Sequence, residues 1–233
     1  MTMKQPAQKI LALHRTLCVA FWLFAIVDII GIAAEIEIFH FIAKPLLVPV
    51  LFLILYLANS SVPGKNLLLT GLFFSWLGDV FLLFEYKNAL FFIFGLVSFL
   101  TTHIFYIIFF LKTRSVNGSL LKKQPVLVAL VLGYGITLVW QLFPHLDDLK
   151  IPVMIYAIVI CTMLLCSLHV FYKVPRKAAL YYLFGAAAFV LSDSLLAVNK
   201  FYQPFTYAGI FIMLTYCAAQ FLIVMGYIEQ DNL

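Results

Sequence analysis

Residues 71–84 read Gly-Leu-Phe-Phe-Ser-Trp-Leu-Gly-Asp-Val-Phe-Leu-Leu-Phe. The stretch is apolar enough to sit in a lipid bilayer, yet it holds a carboxylate, Asp79, directly after Gly78. An ionisable group inside a membrane helix costs roughly 3 kcal/mol or more unless it faces protein or a water-filled cavity. Asp79 therefore needs partners from the rest of the chain. Residues 185–198 read Gly-Ala-Ala-Ala-Phe-Val-Leu-Ser-Asp-Ser-Leu-Leu-Ala-Val and carry a second such aspartate, Asp193. Each aspartate lies eight residues after a glycine, and the two segments are offset by 114 residues.

Working outward, the composition fits that reading. Of 233 residues, 65% are hydrophobic and 11% charged, and the mean hydropathy is +1.08. These values exclude an ordinary soluble domain and indicate an all-α, polytopic membrane protein forming a single integral membrane domain over residues 1–233. Eight transmembrane helices are expected, over residues 17–34, 45–58, 67–84, 90–111, 126–143, 151–171, 178–198 and 205–227. All but the second meet the 17–25 residues that cross the hydrocarbon. Pro45 and Pro152 are read as opening their spans, and the Asn-Ser-Ser-Val-Pro-Gly run after Ala58 as a polar connection.

The net charge of +5 is read as topology rather than as affinity for nucleic acid. Lys4, Lys9, Arg15, Lys65, Lys112, Arg114, Lys122, Lys123, Lys173, Arg176 and Lys177 fall on one side of the expected spans. Only Lys44, Lys87, Lys150 and Lys200 fall on the other, which places both termini in the cytoplasm. Cys18, Cys161, Cys166 and Cys217 all lie in apolar segments without metal-ligand spacing, so they read as small buried hydrophobes.

The 114-residue offset extends past the aspartates. It pairs Gly95 with Gly209, Thr101 with Thr215 and Tyr106 with Gln220. The expectation is a duplicated four-helix unit, with halves over about 17–111 and 126–227. The copies would be parallel, related by an axis along the membrane normal, and arranged around a central cavity. The third and seventh helices would then cross near the centre with Asp79 and Asp193 facing one space. Chance similarity between apolar helices is the alternative.

Other polar residues are candidates for the same site. Lys44 stands at the expected start of the second span, where a lysine commonly snorkels to the headgroups; it could instead hold a phosphate or pair with a carboxylate. Asn199 lies just past the seventh span. His103 and Tyr106, three apart, share a helix face, as do Tyr216 and Gln220, four apart; all four are expected to line the cavity deeper down. Trp76 is placed to desolvate Asp79, and Ser192 and Ser194 to hydrogen-bond Asp193. The Phe91–Phe94 run reads as lipid-facing surface. GxSxG, HExxH, CxxC and glycine-rich nucleotide loops are all missing from the sequence, so serine-hydrolase and metallohydrolase chemistry have little support.

With these residues in view, the chain resembles the YhhN-like family of membrane proteins, the lysoplasmalogenases. The resemblance rests on Gly71-x6-Gly78-Asp79 with Leu82-Leu83, and on Gly95-Leu96-x2-Phe99-Leu100-x2-His103-x2-Tyr106. Lys44-Pro45, Ser192-Asp193-Ser194 with Asn199, and Tyr216-x3-Gln220 complete it. It implies an eight-span enzyme of the bacterial inner (cell) membrane that hydrolyses the vinyl ether of lysoplasmalogens, its lysophospholipid substrate. The products would be a fatty aldehyde and glycerophosphoethanolamine or glycerophosphocholine. No metal or organic cofactor is expected.

The residues suit that chemistry. A vinyl ether hydrolyses by protonation of its alkene carbon, capture of the oxocarbenium ion by water, and collapse of the hemiacetal. One carboxyl can deliver the proton while an ionised one stabilises the cation, as paired carboxylates do in glycoside hydrolysis. Asp79 and Asp193 are the expected catalytic pair. Lys44, His103, Tyr106, Asn199, Tyr216 and Gln220 are expected to bind substrate. A proton-coupled transporter of a small solute or lipid is the competing reading, since intramembrane carboxylates serve proton coupling equally well.

Overall fold

The computed structural model describes residues 4–58, 62–113 and 118–230, with side chains from residue 12 onward. Residues Asn59–Ser61 of the expected polar connection and Arg114 of the basic count lie outside the described residues. Eight helices are long and apolar enough to cross a membrane: α1 (Lys4–Ala33), α2 (Glu37–Leu57), α3 (Lys65–Leu83), α4 (Ala89–Lys112), α5 (Val126–Leu142), α6 (Lys150–His169), α7 (Arg176–Ala197) and α8 (Ala208–Gln230). Among the described residues every regular element is helical. That is what a bilayer demands of a chain that cannot close a barrel, because each backbone polar group must be satisfied within its own span.

Two spans start well before their expected positions: α1 at Lys4, thirteen residues early, so that Lys4, Lys9 and Arg15 belong to the helix, and α2, whose shift moves candidate site residues. The α2 helix starts eight residues early, at Glu37, so Pro45 and Pro49 lie inside the helix and Lys44 is buried rather than poised at the boundary. His40, one turn before Lys44, meets Asp28 at 2.7 Å, and Lys44 lies within electrostatic reach of Asp79. A proline removes the hydrogen bond to the carbonyl four residues earlier. Pro49 thus leaves the Pro45 carbonyl without its helical donor, and the Trp76 indole of α3 donates to it at 3.1 Å. The indole N–H of Trp76 is thereby tied to α2.

Sequential helices pack on one another, apart from α4 and α5. Three longer-range pairings close the bundle: α4 with α6, α2 with α8, and α1 with α8. Exchanging the first four helices with the last four maps the α2–α8 pairing onto α6–α4. The outermost helix is α5; only Gly135 and Leu142 of its residues are buried. Past α7 the chain continues as one π-helical turn, Val198–Tyr202.

The interior is packed with aromatic side chains. Tyr106, Tyr182, Tyr227, Phe109, Phe110 and Phe189 are all fully buried. Glycine makes room for two large rings where α3 meets α4. A Cβ on Gly71 would lie 2.5 Å from the Tyr106 ring, and one on Gly78 would lie 2.7 Å from Phe99. The glycines of the Asp79 motif therefore let α4 approach α3 closely, with the Tyr106 and Phe99 rings seated against α3. The centre is filled in this way, and α3 and α7 are not close neighbours. Phe92, expected to face lipid, is buried at 5% exposure, while Phe94 is exposed. All four cysteines are free.

Candidate active site

The helices assemble two polar clusters, one around each aspartate. Asp79, 1% exposed, accepts a hydrogen bond from the Tyr216 hydroxyl at 2.6 Å. Tyr216 meets the Ser75 hydroxyl at 2.8 Å, and the Gln220 amide donates to Ser75 at 2.5 Å. The chain of bonds ends where the Tyr106 hydroxyl donates to the Gln220 carbonyl oxygen at 2.8 Å. Ser75 and Asp79 stand four apart on α3, and Tyr216 and Gln220 four apart on α8. Each pair therefore presents a single stripe, and the two stripes interlock. Buried polar groups are tolerated when each finds a partner, and here a continuous network supplies them.

Two further charged groups lie near Asp79. Lys44 and Asp28 both lie within electrostatic reach of it. Asp28, on α1, is fully buried and meets His40 Nδ1 at 2.7 Å, leaving its second oxygen without a partner among the described residues. This third intramembrane carboxylate went unnoticed in the sequence. Its surroundings, Ala-Ile-Val-Asp-Ile-Ile-Gly, share no motif with the other two. The available signal was general: any aspartate inside an 18-residue apolar window requires a partner.

Asp193 is held differently. Its Oδ2 accepts from the Tyr156 hydroxyl at 2.5 Å and lies 3.0 Å from His103 Nε2, which is itself 3.0 Å from Tyr156. Tyr156 on α6 was also missed, because nothing repeats around it. The serines expected to serve Asp193 bond elsewhere: Ser192 donates to the Ile212 carbonyl, and Ser194 to Val190 of the preceding turn. Ser194 in turn accepts from Tyr134 of α5 at 2.8 Å.

The remaining candidates separate. His103 and Tyr106 share a face of α4, yet His103 goes to Asp193 and Tyr106 to Gln220. Tyr106, Tyr216 and Gln220 form part of a sealed network rather than a cavity wall. Asn199 accepts from the Phe205 amide at 3.3 Å and shapes the turn after α7. Between the clusters stands an aromatic partition. Phe189 sits edge-on to His103, at 4.6 Å between centroids, and edge-on to Tyr216, at 5.7 Å. Phe99 meets Tyr216 at 5.8 Å in the same way.

Free space adjoins only one of the aspartates among the described cavities. Two voids of about 40 Å³ each end on Asp193. One is walled by Phe92, Phe99 and Phe201; the other reaches toward Tyr134 and Cys161. No group of three or more metal-ligating side chains occurs among the described residues. The two clusters consist of carboxylates, hydroxyls, imidazoles, an amide, one lysine and apolar walls, a set suited to moving protons beside a hydrocarbon.

Comparison with known proteins agrees in kind. A model of the YhhN family matches residues 39–227. Lysoplasmalogenase TMEM86B of Sus scrofa is 33% identical over 187 residues, covering 79% of this chain and 74% of that protein. Lysoplasmalogenase TMEM86B of Homo sapiens is 33% identical over 195 residues, 82% of this chain and 77% of that one. A lysoplasmalogenase of Mycobacterium bovis is 29% identical over 138 residues, 58% of this chain and 51% of its own length. No solved structure matches. Asp79, Asp193 and every partner named above fall inside the family match, except Asp28.

Proposed function

The chain belongs to the YhhN family, and from that premise we propose that it is a lysoplasmalogenase. It would hydrolyse the vinyl ether of a lysoplasmalogen within the membrane, releasing a fatty aldehyde and a glycerophosphoethanolamine or glycerophosphocholine. The relatives' names support the reaction class. The observation that carries the site is Asp193, a carboxylate with two side-chain partners on one oxygen and apolar voids at its edge.

In the proposed mechanism Asp79 and Asp193 divide the work. Tyr156 donates to Asp193 and His103 stands beside it, an arrangement that suits an ionised carboxylate. Asp193 would balance the positive charge that develops on the ether carbon, and it would orient the water that captures the oxocarbenium ion. Proton delivery to the alkene carbon is assigned to Asp79, whose carboxyl Tyr216 positions. Because Phe189 and Phe99 stand between the two clusters, this step requires those rings to turn aside as the substrate is seated. The water adds to give a hemiacetal and gives one proton to Asp193. The hemiacetal hydroxyl proton passes to the glycerol oxygen as that C–O bond breaks, leaving alcohol and aldehyde. Return of the proton on Asp193 to Asp79 would reset the pair. Each step uses only proton transfer and water, so no cofactor enters the scheme.

The two halves of the chain would be parallel repeats. In support, Tyr106 and Gln220, which are 114 positions apart, bond to each other. A two-fold axis brings a position onto its own counterpart only where the axis passes. Both termini would face the cytoplasm, as the distribution of basic residues suggests.

The test is direct. Purified protein in detergent or nanodiscs should release free aldehyde from a lysoplasmalogen and none from a saturated acyl lysophospholipid of the same headgroup. A transporter would release none from either, and that outcome would overturn the proposal.

A further inference from the structure

A cleft of about 440 Å³ opens on the outside of the bundle between α5 and α6. Its walls are apolar, and its rim carries Ile136, Trp140 and Ile158, all strongly exposed. Four of its lining residues, Gly135, Val139, Ala157 and Cys161, also line one of the voids that end on Asp193. The same four side chains thus form both the floor of an outward cleft and the ceiling of a space at the aspartate. None is large: a hydrogen, an isopropyl, a methyl and a thiol. Gly135 is the tightest point, since a Cβ there would lie 2.8 Å from the Cys161 sulfur.

The helix on one side of this wall is the least embedded of the bundle. Near the aspartate, α5 is tied to α7 by the bond from Tyr134 to Ser194, one residue past Asp193. A second outward cleft, between α1 and α8 around Trp22 and Phe221, shares no lining residue with either void at Asp193. The α5–α6 cleft is distinguished by where it leads.

We propose that the α5–α6 cleft is a lateral port that seats the hydrocarbon chain of a single-chain ether lipid, with the first carbons of that chain passing between Gly135 and Ala157 to Asp193. The proposal rests on the reading of the protein as a lysoplasmalogenase. It adds where the chain lies and from which side it enters. Entry from the bilayer keeps the chain in an apolar medium throughout, whereas entry from water would expose every methylene on the way. It also matches the substrate's layout, because the vinyl ether forms the head of the hydrocarbon chain. A chain lying in the cleft with its first carbons inward presents that bond to the carboxylate.

Two measurements test the port. The first needs no turnover. A saturated alkyl glycerophosphocholine bearing a mid-chain diazirine is photolysed with the intact protein, and labelled peptides are mapped. Label should concentrate in residues 132–162 and fall when unlabelled lysoplasmalogen is added. Label spread evenly, or held in the α1–α8 cleft and unaffected by competitor, would overturn the port.

The second compares chain lengths in Gly135→Val and Ala157→Phe. Each should lower kcat/KM for a sixteen-carbon alkenyl substrate about tenfold, in the range that steric discrimination in an apolar pocket supplies. A four-carbon alkenyl analogue should change less than about twofold by the same steric argument, and Leu23→Trp in the other cleft should alter neither. Equal losses for both chain lengths in variants that keep the wild-type unfolding temperature would count against the port. If wild-type protein cleaves no lysoplasmalogen at all, the functional reading fails, while the labelling pattern still decides the port.

Discussion

Asp79 and Asp193 come from matching stretches of sequence, yet their surroundings differ. Asp79 is sealed, 1% exposed, and tied through Tyr216, Ser75 and Gln220 to Tyr106. The side chain of Asp193 is 14% exposed and borders two voids. The difference traces to the residues at equivalent positions. Ser75 extends the network around Asp79, and its counterpart 114 residues on is Phe189, which partitions the two clusters. Tyr216 reaches Asp79, and its counterpart Thr102 bonds instead to the Gly71 carbonyl at 3.0 Å. If one unit was duplicated, its copies have diverged into a closed half and an open half. Such asymmetry suits a reaction in which two carboxyls must differ in role.

The strongest challenge to this comparison is to neutralise each acid. Asp79→Asn and Asp193→Asn should each lower kcat by about 100-fold or more, the scale of general acid–base help. The double variant should be little worse than the worse single, because groups acting as a unit are not additive. Near-normal aldehyde release by either well-folded single variant would remove that half from the chemistry.

The tyrosines sharpen the contrast at a lower magnitude. Tyr156→Phe, beside the open aspartate, should lower kcat about tenfold, as the loss of a hydrogen bond to a charged group does. Tyr216→Phe should lower kcat less than Tyr156→Phe does, because burial still holds the Asp79 carboxyl in place, and should cost about 1 kcal/mol of stability for a buried side-chain bond in a membrane bundle. Reversed results, with Tyr216→Phe catalytically crippled and Tyr156→Phe merely unstable, would exchange the roles of the two clusters.

The smallest effect is expected at Lys44. It is buried and lies within electrostatic reach of the Asp79 carboxyl. Lys44→Ala should therefore reduce kcat by roughly fivefold with KM little changed, the pattern of an interaction absent from substrate binding. A rise in KM at constant kcat would instead show that the lysine holds the substrate's phosphate.

Seven of the eight spans could be read from hydropathy because bilayer thickness fixes helix length. The eighth, α2, was truncated for a reason that also obscured part of the site. His40 and Lys44 are polar, and from sequence alone a polar residue near a span end cannot be distinguished from a loop residue. Its partner, here Asp28 or Asp79, lies on another helix. Asp79 and Asp193 stood out because they repeat, and Tyr106, Tyr216 and Gln220 because helical spacing paired them. Tyr156 and Asp28 carry no such periodic mark. Nor could spacing foresee that Ser194 would satisfy the Val190 carbonyl of its own helix, an option a helical serine always has nearby, or that Ser192 would reach the Ile212 carbonyl on α8.

The bond between Trp76 and the Pro45 carbonyl works as a dowel between two rods. It joins α2 to α3 at a single height, one residue from Lys44 and three from Asp79, and so sets the register of an ammonium against a carboxylate. The hole for that dowel exists only because Pro49 has no hydrogen to donate. Another residue at position 49 would give the Pro45 carbonyl a competing backbone donor, and a chain without the indole would strand that carbonyl in an apolar interior. Pro49 and Trp76, 27 positions apart, therefore form one joint and are expected to change together or not at all.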